Sequence, residues 1–571
     1  MTILTPIGVG PATPSNLLYV IKDHRTLRPT AVFSDDIIPH FGRTGIFFIN
    51  QLDRLLKCIY YPFYCSMSNI TPNKEAFVHH ALHGEVIPLS MELYPGRLTP
   101  FGALCALRGL GFGSLLESCR VNNTTGRYSF VTAEPYLIFC SRGDEIELSL
   151  PAAPSGRYGR RVVLRRRPLQ KLRELMSNYR TIRRDGLPPF TGGAVGFFSY
   201  DFVHQFERLP RTCTDDLGIP ESYFIFVDAV VAFDHIENRA WLIVNPGARG
   251  QELGFRRPEP DEWPRLYDEA VSRMGRLNSM LEGAFPRVDD GKRLDRPPVL
   301  IPEMQKDDFE RMVARCKEYI AAGDIYQANL SQRFKTELPD IDPLKLYSVL
   351  RQVNPSPFAA YLDFGDLQIV SSSPERLVRL QNGIADTRPI AGTRRRGLDF
   401  KETEQLSMEL LTNDKERAEH IMLLDLERND LGKVCNYGTV RVDELMTIED
   451  YSHVIHIVSN VRGELSEGKD AFDLIRAMFP GGTITGVPKV RCMEIIDELE
   501  PTARGPYTGS LGYISNSGDM DMNIIIRTFI VKGENAYIQV GAGIVADSDP
   551  SREYAETLQK AEALKKSLEM L

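Results

Sequence analysis

Nine cysteines are scattered through the 571 residues, and no two of them form a Cys-x-x-Cys pair. An odd, dispersed set is no disulfide framework, and structural zinc is not expected. Long apolar runs are missing as well. Tyr223-Phe-Ile-Phe-Val meets Asp228 within a few residues, and nothing approaches the ~20 residues of a membrane span. Met1 to Asn16 has no basic stretch ahead of an apolar core, so no signal peptide is expected. Positive charge is not in excess either: the net charge is −8, which disfavours holding nucleic acid through its phosphates. These absences predict a protein of the reducing cytoplasm with neither a membrane nor a nucleic-acid partner.

What is present is ordinary for a globular chain, with 43% hydrophobic and 25% charged residues. The length exceeds a usual single core. Residues 1–85 form an extension whose role cannot be read. Residues 86–297 are rich in strand signals. They include a helix near Thr99–Arg108, a strand near Gly113–Ser118 and its antiparallel neighbour at Gly126–Val131. Arg157–Lys171 reads as a hairpin running into a helix. Thr191–Asp201 is a Gly-rich turn into a buried strand, and Phe224–Phe233 reads as a strand pair. Asn245–Pro302 mixes Pro, Gly and charge around one amphipathic helix and reads as a linker. Residues 298–571 open with an amphipathic helix at Asp308–Ile320. Period-two alternation follows, placing Gln327, Asn329 and Arg333 on one strand face and Tyr326, Ala328, Leu330 and Phe334 on the other.

The C-terminal stretch Ala536–Lys560 reads as a strand, a Gly-rich turn and a helix capped by Asp549 with Pro550 at its first position. Glu553, Glu556 and Lys560 then share a helix face. Gly541-Ala-Gly543-Ile-Val-Ala546 fits G-x-G-x-x-A, but no second strand follows to complete a dinucleotide-binding unit. A solvated helix face and a carboxylate pair for a hard cation both remain open. A second pair exists at Glu416 and Glu419, where Asn413 with Glu416 also suits a capping box. Phe479–Lys489 is no P-loop, because Pro488 removes a needed N–H. His456 alternates with Val454 and Val458 on a strand, the pattern of a core histidine as much as of a catalytic one. Glu375 follows a buried strand, where a carboxyl can hold its proton and act as a general acid.

The ordered stretches Gly-Asp-Ile-Tyr-Gln327, Pro-Ile-Ala-Gly-Thr393, Glu416-Arg-Ala-Glu-His420, His456-Ile-Val-Ser, Gly-Gly-Thr483-Ile-Thr-Gly-Val-Pro-Lys, Ile526-Arg-Thr, Gly-Ala-Gly543-Ile-Val-Ala-Asp-Ser and Glu553-Tyr-Ala-Glu-Thr-Leu-Gln-Lys560 resemble the chorismate-binding enzymes. Residues 86–240 resemble the N-terminal region of anthranilate synthase and aminodeoxychorismate synthase large components. The resemblance implies an α+β fold of two large antiparallel-rich sheets packed as a sandwich with flanking helices. It implies Mg²⁺ between Glu419 and Glu556, backed by Glu416 and Glu553. Arg527, Tyr507 and the Gly543 backbone would hold the enolpyruvyl carboxylate of chorismate, with Gly392 and Gly541 in the same substrate-binding set. Thr483 and Thr393 would contact the ring, and Lys560 would support the metal end. Glu375 would protonate the departing hydroxyl, and His456 would assist loss of pyruvate.

Two positions bear on the branch. Isochorismate- and salicylate-forming relatives carry a lysine base where this chain has Gln327, so ammonia is the expected nucleophile. Many aminodeoxychorismate synthases carry a nucleophilic lysine where this chain has Ala391, which favours anthranilate as product. Tyr326–Leu330, Asn354–Tyr361 and Asp425–Leu431 are closer to the aminodeoxychorismate branch, the alternative. A non-catalytic ligand sensor on this fold would be expected to lose Glu375, His456 or the acidic quartet, and all are present. No Gly-x-Cys-x-Gly elbow exists, so a separate glutamine amidotransferase subunit is implied, in an oligomeric assembly. Leu116, Glu117 and Ser118 with Asn354, Pro355 and Pro357 resemble a tryptophan-feedback pocket.

Overall fold

Short alternating strands with charged turns build two sheets of twelve strands each, in a computed structural model that describes residues 4–8, 17–22, 29–32, 69–93, 98–119, 125–151, 158–249, 258–282, 296–397, 399–450 and 454–571. The chain divides into two compact units, Met1–Asn69 and Ile70–Leu571. In the first, Leu4–Gly8, Leu17–Lys22 and Pro29–Val32 form an antiparallel three-stranded sheet. The aromatic-rich segment Cys58–Cys65 lies outside the described residues.

The second unit holds both large sheets, and every paired strand in them is antiparallel to its neighbour. One sheet joins Val454–Glu464, Arg376–Gln381 and Ser510–Ser515 to Gly193–Phe198, Ser222–Val227 and Leu137–Arg142. The other joins Gln327–Glu337, Asn535–Ile544 and Phe358–Asp363 to Ser114–Glu117, Tyr128–Thr132 and Ala229–Asp234. Residues 86–297 and 298–571 therefore meet edge to edge within each sheet. Between the sheets, Phe130, Val195, Ile225, Ala232, Leu362 and Ile369 share one apolar cluster. Facing sheets bury such residues at roughly 25 cal/mol per Å² of apolar surface. The α+β two-sheet sandwich expected from the sequence is the fold.

Two local expectations fail. Ser222–Val227 and Ala229–Asp234 are not a pair but belong to different sheets. The switch falls at Asp228, the charge that interrupts the apolar run. Burial opposes its ionised form, but Arg273 at 2.7 Å and Arg249 at 2.8 Å outweigh this and hold its carboxyl below the usual range. Tyr326 also departs from its expected place: it lies just outside the strand that starts at Gln327 and is 71% exposed.

Candidate active site

The site grows from the pairing of Gln327–Glu337 with Asn535–Ile544. Asn329 faces Gly543 and Ser331 faces Gly541 in this register. Neither glycine leaves room for a side chain. A Cβ on Gly543 would stand 2.7 Å from Gln327 Nε2, and one on Gly541 would stand 2.8 Å from the Tyr507 hydroxyl and 2.5 Å from Asn329 Oδ1. The glycines thus allow polar side chains to lie directly on the strand. Gly543→Ala should push the Gln327 amide aside and cut kcat about 10–100-fold with the fold retained. Steady-state kinetics and a melting curve on the same sample check both halves of that expectation.

Two helices converge on this strand pair. Asp414–Gly432 starts at Asn413, whose side chain accepts the Glu416 N–H at 3.0 Å. Only that half of the expected capping box forms, because the Glu416 carboxylate is engaged by Arg394 Nη1 at 3.0 Å. Glu419 Oε1 accepts from Gln327 Nε2 at 2.8 Å. Pro550–Glu569 is capped by Asp549, which accepts the Arg552 N–H. On its face Lys560 reaches Glu556 at 2.8 Å and donates to the Gly541 carbonyl at 3.0 Å, while Glu553 sits half-buried in the first turn. Both acidic helices are therefore tied to Gly541–Gly543, one through Gln327 and one through Lys560.

Among the described residues, no three His, Cys, Asp or Glu side chains stand as a ready-made chelating group. The donor chemistry nonetheless fits a hard divalent cation, since all four candidates are carboxylates. Gly392 supplies a further sign of a built cradle. It lies at a register shift with φ of 68°, and a Cβ there would come 2.9 Å from Glu416 Oε2. Arg394 and Lys560 are the cations that now balance Glu416 and Glu556.

Glu375 lies between Leu367–Ser373 and Arg376–Gln381 and is 7% exposed. Burial raises its pKa to about 7, against the opposing pull of the Thr483 hydroxyl, the Ile390 N–H, Arg527 and Lys560. Thr483 Oγ1 is buried and its contact falls short of a well-formed hydrogen bond. The four neighbours come from separate stretches of sequence, so folding alone assembles this electrostatic shell. Arg527 adopts a positive φ of 52°. Tyr507 is buried beside Arg504, with the guanidinium 5.7 Å from the ring centroid. His456, 3% exposed, pairs with Thr393 on the neighbouring strand.

Two features behind the site escaped the sequence reading. Arg504 and Glu500 form a fully buried ion pair at 2.7 Å, exposed by 1% and 2%. Arg504 also donates to the Asn329 carbonyl at 2.6 Å and the Ile484 carbonyl at 3.1 Å, and Glu500 accepts from the Ser331 N–H at 2.9 Å. The other is Glu427, 3% exposed, whose Oε2 is buried with no hydrogen-bond partner. Its signal was available, since it lies three turns beyond Glu416 on the same helix face.

The sequence-predicted regulatory residues meet elsewhere. Leu116, Glu117, Ser118 and Pro357 line a cavity of about 230 Å³. Asn354 and Pro355 lie outside that lining, and Asn354 Nδ2 donates to Ser372 Oγ at 3.0 Å. Glu117 is fixed by Arg351 at 2.5 and 2.8 Å and by the Tyr347 hydroxyl at 2.7 Å.

A buried acid that keeps its proton near neutrality, cationic side chains beside it and two acidic helices on a glycine strand bring together groups for proton transfer and for holding charge. The chain belongs to the family of chorismate binding enzymes, which residues 134–566 match. It is 41% identical over 489 residues to anthranilate synthase component 1 of Acetivibrio thermocellus, covering 85% of this chain and 95% of that one. It is 45% identical over 405 residues to aminodeoxychorismate synthase component 1 of Bacillus subtilis (strain 168), covering 71% and 82%. The crystal structure of anthranilate synthase component I from Streptococcus pneumoniae TIGR4 superposes with a TM-score of 0.65 at 32% identity, covering 78% and 94%. The protein is a chorismate-utilising enzyme of the anthranilate or aminodeoxychorismate synthase type.

Proposed function

We propose that this chain is the large component of an anthranilate synthase, converting chorismate and ammonia to anthranilate, pyruvate and water. The observation that carries amination is the Gln327 amide, hydrogen-bonded to Glu419. An amide cannot deprotonate water, whereas ammonia arrives nucleophilic. Arg527, Tyr507 and the Gly543 backbone bind the enolpyruvyl carboxylate, and Thr483 and Thr393 orient the ring. Glu375 gives its proton to the departing C4 hydroxyl, which leaves as water while ammonia bonds to C2. His456 assists loss of pyruvate as the ring becomes aromatic. Magnesium held by Glu419 and Glu556, with Glu416 and Glu553 around them, would neutralise the ring carboxylate.

Ala391 supports anthranilate, because alanine offers no amine for a covalent adduct. A second reading, amination at C4 to aminodeoxychorismate, rests on the stretches Tyr326–Leu330, Asn354–Tyr361 and Asp425–Leu431, which resemble that branch more closely. Ammonia comes from a separate glutamine amidotransferase subunit in a cytoplasmic oligomer, and the 230 Å³ cavity takes tryptophan as an effector.

Incubation of the purified chain with chorismate, MgCl₂ and ammonium chloride should give fluorescent anthranilate with equimolar pyruvate. EDTA should abolish the signal and MgCl₂ restore it. Aminodeoxychorismate without pyruvate would overturn the assignment.

A further inference from the structure

Two of the ordered stretches, Glu416–His420 and His456–Ser459, meet at a hydrogen bond that the chemistry above does not use. His420 Nε2 lies 2.6 Å from Ser459 Oγ, and both residues are 0% exposed. Ser459 Oγ also accepts the Met446 N–H at 2.9 Å, so one hydroxyl joins the helix to two neighbouring strands, Arg441–Asp450 and Val454–Glu464. Among the described residues the other ring nitrogen, Nδ1, is buried without a hydrogen-bond partner. Ser459 is thus the polar anchor of the ring.

The helix Asp414–Gly432 carries Glu416 and Glu419 in its first two turns, and polar contacts to three different strands fix those turns. Glu419 accepts from Gln327 on Gln327–Glu337 at 2.8 Å, and Glu416 accepts from Arg394 on Ile390–Arg395 at 3.0 Å. The third contact is His420 with Ser459, on the strand that also carries His456. The first two are made by the carboxylates themselves and are only partly buried. A carboxylate that turns to a cation must loosen such contacts. The third uses no carboxylate and is fully buried, so it persists while the acids change partners. The far half of the helix is held separately, through Asp430 with Lys489 and Lys433.

We propose that His420 and Ser459 are positioning residues, a buried anchor that holds the Glu416 and Glu419 turns against the His456 strand while the two carboxylates exchange protein partners for a divalent cation. The inference rests on the reading of those glutamates as magnesium ligands. Losing the anchor leaves both acids in place but lets the helix drift. The cost then falls on gathering the cation rather than on the steps that follow.

The test counts Mn²⁺ bound to the full chain, from the electron paramagnetic resonance of the free ion, with chorismate and without ammonia. Beside it, the rate with ammonium chloride is titrated with MgCl₂. Ser459→Ala should weaken Mn²⁺ binding and raise the MgCl₂ concentration for half-maximal rate, each by about tenfold, the lower end for a group lost behind a metal ligand. At saturating MgCl₂ its kcat should stay within about threefold of wild type. His420→Leu should act in the same direction, and the double variant should bind no more weakly than Ser459→Ala, because one shared bond is lost once. His420→Gln, which returns an amide nitrogen near the Nε2 position, should recover most of the binding. Ser459→Ala removes a single oxygen and carries the test if His420→Leu does not fold. Unchanged Mn²⁺ binding in Ser459→Ala, additive losses in the double variant, or a fall in kcat that saturating MgCl₂ does not restore overturns the proposal. Absence of Mn²⁺ binding by the wild-type chain would instead overturn the magnesium reading, which separates the two failures.

Discussion

Glu375→Gln should lower kcat by about 10²–10⁴-fold while KM for chorismate changes little, because a general acid acts mainly in the transition state. The amide keeps the shape and removes the proton that must leave with the hydroxyl. Wild-type activity should fall as pH rises through about 7, where Glu375 loses its proton. Ammonia becomes more abundant over the same interval, so the profile must be read at fixed free ammonia. Stability has its own sign. The folded-state pKa lies above the ordinary 4.5, so between those values the folded chain binds more protons than the unfolded one. The fold therefore loses stability as pH rises across that window. The glutamine variant escapes this loss and should gain on the order of 2–3 kcal/mol relative to wild type at pH 8, but nothing at pH 4. Denaturant unfolding at the two pH values reads the difference. Near-normal turnover in the variant would remove Glu375 from the mechanism.

Arg504→Ala should cost roughly 3–5 kcal/mol, the usual result of leaving one member of a buried ion pair uncompensated. The loss should extend beyond stability. Arg504 holds the carbonyls of Asn329 and Ile484, and its partner Glu500 holds the Ser331 N–H. Those contacts fix the strand carrying Gln327 against the turn carrying Thr483. A displacement near 1 Å at reacting groups can cost about 100-fold in rate, so kcat should fall together with the urea midpoint. Replacing both charges, as Glu500→Leu with Arg504→Met, removes the uncompensated charge. It should still leave the protein less stable than wild type, because buried main-chain groups lose their partners. Full recovery of stability and rate in that double variant would show that the pair is dispensable to the site.

Much of this protein is legible without coordinates. The spacing of Glu416 with Glu419 and of Glu553 with Glu556 puts each pair on one helix face, because helical periodicity is local. The caps at Asn413 and Asp549 follow from side-chain chemistry within one turn. Alternation along Gln327–Glu337 identifies a strand, and the order of motifs identifies the family. What local pattern could not decide is which strands are neighbours. Apolar sequence at Phe224–Phe233 suits a hairpin as well as a crossing, and only packing of two sheets around a paired Asp228 sends its halves to different sheets. The same holds for acidity. Nothing within a few residues of Glu375 raises its pKa, and beside Glu427 only Asp430 adds to the effect; burial by distant segments is the larger cause at both, with charges from Arg527, Lys560 and Lys489 set against it. Sequence determined which groups are available and which helix or strand carries them. Tertiary structure decided which carboxyls lose water, and desolvation is what keeps one glutamate protonated near neutrality and leaves another a surface charge.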